Sequence, residues 1–213
     1  MQRMTVYFMP YYKKANNTKI GRSFLSALTL MGMLFFASFS AFSAPGNSGQ
    51  TSIIHIKNAE LLAGEENYAL NADIDLSFAP AIEDALNKGV PLTFLVEFQL
   101  STPKKYWFDD EIVTQNQRVT ISYHALSRQY LINRGNHQQS FPTLPQAREE
   151  LVKIKDWTVF DKRLLKKGEA YQAAIRMRLD QSRLPKPLQV EAAGSEDWAI
   201  VSERFRWTPN FAL

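Results

Sequence analysis

The chain has 213 residues, no cysteine, three histidines, 25 Lys+Arg and 21 Asp+Glu, for a formal charge of +4. Five of those bases (Arg3, Lys13, Lys14, Lys19, Arg22) precede residue 44 and no acid does, which leaves 20 bases against 21 acids in the rest. The basic balance therefore belongs to the leader and gives no reason to expect nucleic-acid binding, while 45% hydrophobic and 12% aromatic residues exclude a disordered chain.

Residues 1–22 are polar and positive, and Met4 and Met9 are alternative starts. An uncharged apolar run from Phe24 to Phe36 follows, then the small residues Ala37, Ser38, Ser40, Ala41, Ser43 and Ala44. That order reads as a secretory signal over 1–43, with Ala41 at the −3 place for cleavage after Ser43. The rival reading is an uncleaved anchor, because Phe24 to Phe42 is about the length that spans a bilayer. The bases before it would hold that end in the cytoplasm. Both readings place the body outside the cytoplasm. Membrane contact is then expected through the leader alone. Without cysteine there is no disulfide framework, no thiol nucleophile and no lipid attachment point.

Residues 44–51 read as a linker, 52–208 as one domain and 209–213 as a tail. Strict alternation marks three long strands with one buried face. The apolar sets are Tyr68, Leu70, Ala72, Ile74, Leu76 and Phe78; Leu92, Phe94, Val96, Phe98 and Leu100; and Tyr171, Ala173, Ile175, Met177 and Leu179. One-sided strands imply an antiparallel sheet, since parallel strands are apolar on both faces. Less regular strands are expected near 53–62, 117–123, 128–134, 156–160 and 198–207. The second and third of these form a hairpin turning at His124 to Ser127. Pro80 to Lys88 predicts a helix that stops at Gly89. A capping-box-like Thr143 and Gln146 open another, with Leu144, Ala147, Leu151 and Ile154 on one face. The expected fold is mainly β: an antiparallel β-sandwich or strongly curved sheet with two short helices.

A set of short motifs runs through the body. It comprises Asn71-Ala-Asp73-Ile-Asp75-Leu-Ser-Phe78, Asn87-Lys-Gly89-Val-Pro91, Tyr106-Trp107-Phe108-Asp109, Ser122-Tyr123 with Tyr130, His137-Gln-Gln-Ser140-Phe141-Pro142, Lys155-Asp156-Trp157 and Leu184-Pro185-Lys186-Pro187. As an ordered set over residues 52–208 it resembles a domain-of-unknown-function family of exported Gram-negative bacterial proteins, sometimes labelled proline-rich signal peptide proteins. The resemblance implies no catalytic residues. It does imply a partner, a membrane sensor histidine kinase of the nitrogen-regulation type.

No catalytic, metal or cofactor constellation stands out. Asn71, Asp73 and Asp75 share a strand face, but Leu76 and Ile82 occupy the places where a calcium loop needs glycine and glutamate. They read as a solvated face, and as cross-strand partners of Arg176 and Arg178 if those strands are neighbours. His55 falls on a strand face and His124 in a turn. His137 with Ser140 is the remaining candidate pair. It lacks the Gly-x-Ser-x-Gly elbow and reads as a loop at the entry to the second helix. Trp157, Trp198 and Trp207 read as core, and Leu184 to Leu188 as a stiff extended connector.

The candidate interaction surface is Lys104, Lys105, Tyr106, Trp107, Phe108 and Asp109, where cations, consecutive rings and acids follow the end of a strand. Exposed rings of this type anchor interfaces. These features favour a non-enzymatic binding or accessory module. The alternatives are a periplasmic carrier of a small molecule or lipid, and a wall-directed hydrolase using Asp109 and Glu111.

Overall fold

The computed structural model describes residues 51–106 and 109–211. The chain divides after Asn47, and every described residue belongs to the second unit, Ser48–Leu213. The expected leader lies outside the described residues. Among those residues, no helix is long and apolar enough to cross a membrane.

Among the described residues nine strands form two open antiparallel sheets. β1 (Ile53–Ala63), β2 (Asn67–Ser77) and β7 (Ile154–Asp161) make a three-stranded sheet in the order β1-β2-β7. The other sheet has the order β6-β5-β4-β3-β8-β9. It is built from β3 (Leu92–Thr102), β4 (Asp110–His124), β5 (Gln129–Arg134), β6 (His137–Phe141), β8 (Gln172–Leu179) and β9 (Phe205–Trp207). The expected mainly-β antiparallel class is what forms.

The alternation in the sequence is the cause. Tyr68, Leu70, Ile74 and Leu76 of β2 are buried, as are Leu92, Phe94, Val96, Phe98 and Leu100 of β3 and Ala173, Ile175, Met177 and Leu179 of β8. Each set lies on one side of its strand, so two such faces laid together exclude water from both. Aromatic rings join the layers. Phe98 of β3 stacks on Phe160 of β7 with centroids 6.1 Å apart, and Phe160 stacks on Tyr68 of β2 at 5.1 Å. Phe211, in the segment expected to be a tail, packs edge-on against Tyr68 at 4.8 Å and Tyr171 at 5.7 Å.

Among the described residues there are three α-helices: α1 (Pro80–Asn87), α2 (Leu144–Val152) and α3 (Lys186–Ala193). α1 buries Ile82 and Leu86 and ends before Gly89, whose φ of 91° suits glycine. α2 buries Ala147 and Leu151, but the Thr143 side chain makes no cap hydrogen bond, so the expected capping box does not form. Ile154 has already entered β7. α3 was expected as an extended connector. Pro187 instead lies in the first helical turn, where a missing N–H leaves no hydrogen bond unmade, so Pro185-Lys186-Pro187 opens a helix.

Several strand boundaries differ from expectation, and β4 already begins at Asp110 where a strand was expected only near 117–123. Residues 198–207 contain only β9 and a single bridge at Val201. Ser202 interrupts them: its Oγ accepts the Met177 N–H at 3.0 Å, and its own N–H donates to the Met177 carbonyl at 2.8 Å. The His137–Ser140 stretch is not a loop. It is edge strand β6, held to β5 through the backbone in the register Arg134↔His137 and Leu131↔Ser140. The β4–β5 hairpin forms where expected, with Tyr123 opposite Tyr130.

Candidate interaction surfaces

The β3–β4 connection carries the sequence-derived surface. The Lys104 ammonium pairs with Asp110, and the Lys104 N–H donates to Asp109 Oδ1 at 3.2 Å. These contacts fold the connection back on itself and aim Tyr106 outward, 80% exposed. Lys105 Nζ lies 5.4 Å from the centre of that ring. Such a cation–π contact is worth about 0.5–1 kcal/mol at an exposed site. The structure thus brings Lys104, Lys105, Tyr106 and Asp109 into one loop. Trp107 and Phe108 lie outside the described residues. Glu111 is already in β4 and accepts a hydrogen bond from Gln99 at 2.9 Å.

The other sequence candidates have structural partners or none. His137 and Ser140 are exposed on β6 three positions apart, an odd spacing that turns their side chains to opposite faces. The His124 ring bonds Ser127 at 3.0 Å within its turn. His55 sits opposite Asp75 in the β1–β2 ladder. Asp75 pairs with Lys57 at 2.7 Å and not with an arginine of β8, because β2 and β8 lie in different sheets. The acid that meets Arg178 is Glu97, at 3.4 Å. Asn71 Oδ1 accepts the Asp156 N–H at 2.8 Å, which holds Asp156 in its left-handed backbone at φ 50°. Among the described residues no group of three His, Asp or Glu could hold a metal ion.

A concavity beside β2 has no counterpart among the sequence expectations. β2 pairs with β1 along its whole length, but its pairing with β7 stops at Ala72↔Ile154. β7 begins only at Ile154, where α2 ends, and the left-handed Asp156 forms a bulge within the β2–β7 pairing. Asp73 to Ser77 are left with one backbone edge open. A groove of about 990 Å³ runs between that edge and α2. Ile74, Asp75 and Leu76 form one wall, and Pro145, Glu149 and Val152 line the other.

A second concavity lies on the outer face of the six-stranded sheet around Asp180. Burial pushes the Asp180 carboxyl up, but hydrogen bonds from Ser182 at 2.5 Å and Arg118 at 3.3 Å outweigh it and hold the group below the ordinary carboxylate range. Its folded pKa is depressed, so its contribution to stability is present at neutral pH and fades as pH falls through the lowered value. Arg118→Gln removes one donor and one positive charge. An NMR titration of that variant is expected to show the Asp180 midpoint moving up from its wild-type value. An unmoved midpoint would mean that Arg118 does not set it.

The pattern of one family of proteins matches residues 51–208, nearly the whole described unit. The chain belongs to the DUF4390 family, a domain of unknown function. No curated protein and no solved structure matches it. Several residues that carry the resemblance explain the DUF4390 scaffold. Asn71 and Asp156 bond each other at the bulge in the β2–β7 pairing. Tyr130 Oη donates to Asn87 Oδ1 at 2.6 Å, tying β5 to the end of α1.

Proposed function

We propose that this DUF4390 protein is an exported, non-enzymatic binding module of the cell envelope that holds an extended segment of a partner protein along the open edge of β2. The observation that carries this reading is the groove between Asp73–Ser77 and α2. An unpaired strand edge offers alternating N–H and C=O groups to any extended chain, and the flanking side chains select among sequences. Natural sheets usually block or shorten such edges; α2 flanks this one but leaves a groove of about 990 Å³ between them. Export is supported by the order of residues in the leader, and an envelope sensor histidine kinase as partner by the family resemblance. The exposed Tyr106 loop is a second place for that partner to touch.

Photo-cross-linking in intact cells tests the reading. A benzophenone side chain is placed at Asp73 or Glu149 in the groove, and at Leu126, which is 93% exposed on the β4–β5 turn. Adducts to a single membrane protein are expected from the groove positions and not from Leu126. Adducts from a Tyr106 substitution alone would move the contact to the β3–β4 loop and overturn the groove assignment.

A further inference from the structure

The six-stranded sheet turns one face away from the core, and arginines from alternate strands gather there. Leu95 of β3 stands in register between Arg118 of β4 and Arg178 of β8. In the adjacent row Glu97 stands between Asn116 and Arg176. Leu95 is buried although it points outward.

How those arginines are held matters more than their number. Arg118 uses its Nε to reach Asp180 at 3.3 Å, and Arg178 uses its Nε to reach Glu97 at 3.4 Å. Among the described residues the Nη groups of both make no hydrogen bond, and Arg176 has neither an ion pair nor a side-chain hydrogen bond. The acids fix two guanidiniums by one corner and leave the fork ends free. All three arginines line one concavity of about 530 Å³, with Gln181, Ser182 and Trp198 at its rim and wall. Strands two spacings apart stand roughly 9.5 Å from each other, close enough for two arginines to converge on one group between them.

We propose that this concavity binds a phosphate group, carried either by a soluble phosphorylated compound or by a lipid headgroup. A carboxylate is filled by a single guanidinium fork. Three guanidiniums with free ends around one space match an oxyanion with at least three acceptor oxygens. Asp180 and Glu97 are already occupied by the Nε donors, so they orient the site and leave it a net positive charge. Leu95 and Ile200 add apolar surface to the lining. The inference is independent of the β2 groove, which lies elsewhere on the fold.

The test uses the full chain. Calorimetric titration with inorganic phosphate and with glycerol 3-phosphate probes the soluble source. Cosedimentation with phosphatidylglycerol vesicles, against phosphatidylcholine vesicles, probes the lipid source. Wild type is compared with Arg176→Gln, Arg178→Gln and Arg176→Lys. The leader is common to all four proteins, so differences among them report the arginines. Each Gln variant is expected to bind about tenfold or more weakly, the loss that follows from one charge-assisted hydrogen bond. Arg176→Lys should fall in between, because it keeps the charge and loses the fork. Arg176 makes no bond within the fold, so its variants should keep the wild-type thermal midpoint. A soluble-phosphate response that Arg176→Gln weakens supports a soluble ligand. A response confined to phosphatidylglycerol vesicles and weakened by the same change supports a headgroup. No response in either arm, or a response that both Gln variants retain in full, overturns the proposal.

Discussion

Phe98→Ala is expected to destabilise the domain by about 3–5 kcal/mol, the range for removing a fully buried phenylalanine. Phe98 has no exposed surface. Its ring stacks on Phe160 of the other sheet at 6.1 Å and lies 6.4 Å from Trp207. The substitution therefore opens a cavity at the place where the two sheets meet, and neither sheet can close it without moving the other. For a domain of this size the thermal midpoint should fall by roughly 6–20 °C. Leu62→Ala is the comparison, since Leu62 is 42% exposed on β1 and should lose about 1 kcal/mol or less. Urea denaturation followed by tryptophan fluorescence measures both. Equal losses for the two variants would mean that Phe98 does not bridge the layers.

The three long strands were legible because a half-buried strand writes its environment into the sequence with a period of two. α1 was legible for a different reason: Pro80 and Gly89 punctuate it, and both act through local backbone geometry. β6 was not legible, because His137-Gln138-Gln139-Ser140 has no apolar alternation. The strand exists through backbone pairing at the sheet edge, where no side chain needs a core. α3 was misread because Pro185 and Pro187 stop a helix from within yet start one at its first turn. The supposed pairing of Asp73 and Asp75 with Arg176 and Arg178 failed because strand order is set by long-range packing that no local pattern reports. The sites divide in the same way. An exposed ring at Tyr106 could be expected from three consecutive aromatics between charges. The β2 groove depends on where β7 begins beside β2, and that is set by where α2 ends and by a register that no local pattern reports. The arginine concavity could be glimpsed only in part. Arg176 and Arg178 were visible on a polar face, but Arg118 joins them through a sheet register that the sequence does not state.

Arg134→Met is expected to cost about 2–3 kcal/mol, and to loosen α2 more than any other element. α2 ends without a basic residue in its last turn and without glycine after it, so its terminal carbonyls need partners from elsewhere. Arg134 supplies them from β5. Its guanidinium donates to the Glu150 carbonyl at 3.0 Å, the Leu151 carbonyl at 3.5 Å and Gln117 Oε1 at 3.2 Å. Burial lowers the Arg134 pKa and the Glu150 carboxylate partly opposes it, but the guanidinium stays charged throughout the physiological range. Methionine keeps much of the stem volume and removes every donor. The loss is then the charged hydrogen bonds, a larger effect than a neutral contact gives, while the Glu150 carbonyl keeps the Lys153 N–H at 3.3 Å. Arg134→Lys should lose less, since an ammonium can serve one acceptor at a time from this position. Hydrogen exchange separates a local effect from a global one. The amides of residues 147–152 should exchange faster in Arg134→Met than the stability change alone requires, while those of β3 and β8 should follow the global change. Because α2 is one wall of the groove, cross-linking from Glu149 should fall in the same variant. Unchanged relative protection in α2 would mean that the helix is held by Ala147 and Leu151 alone, and the groove wall with it.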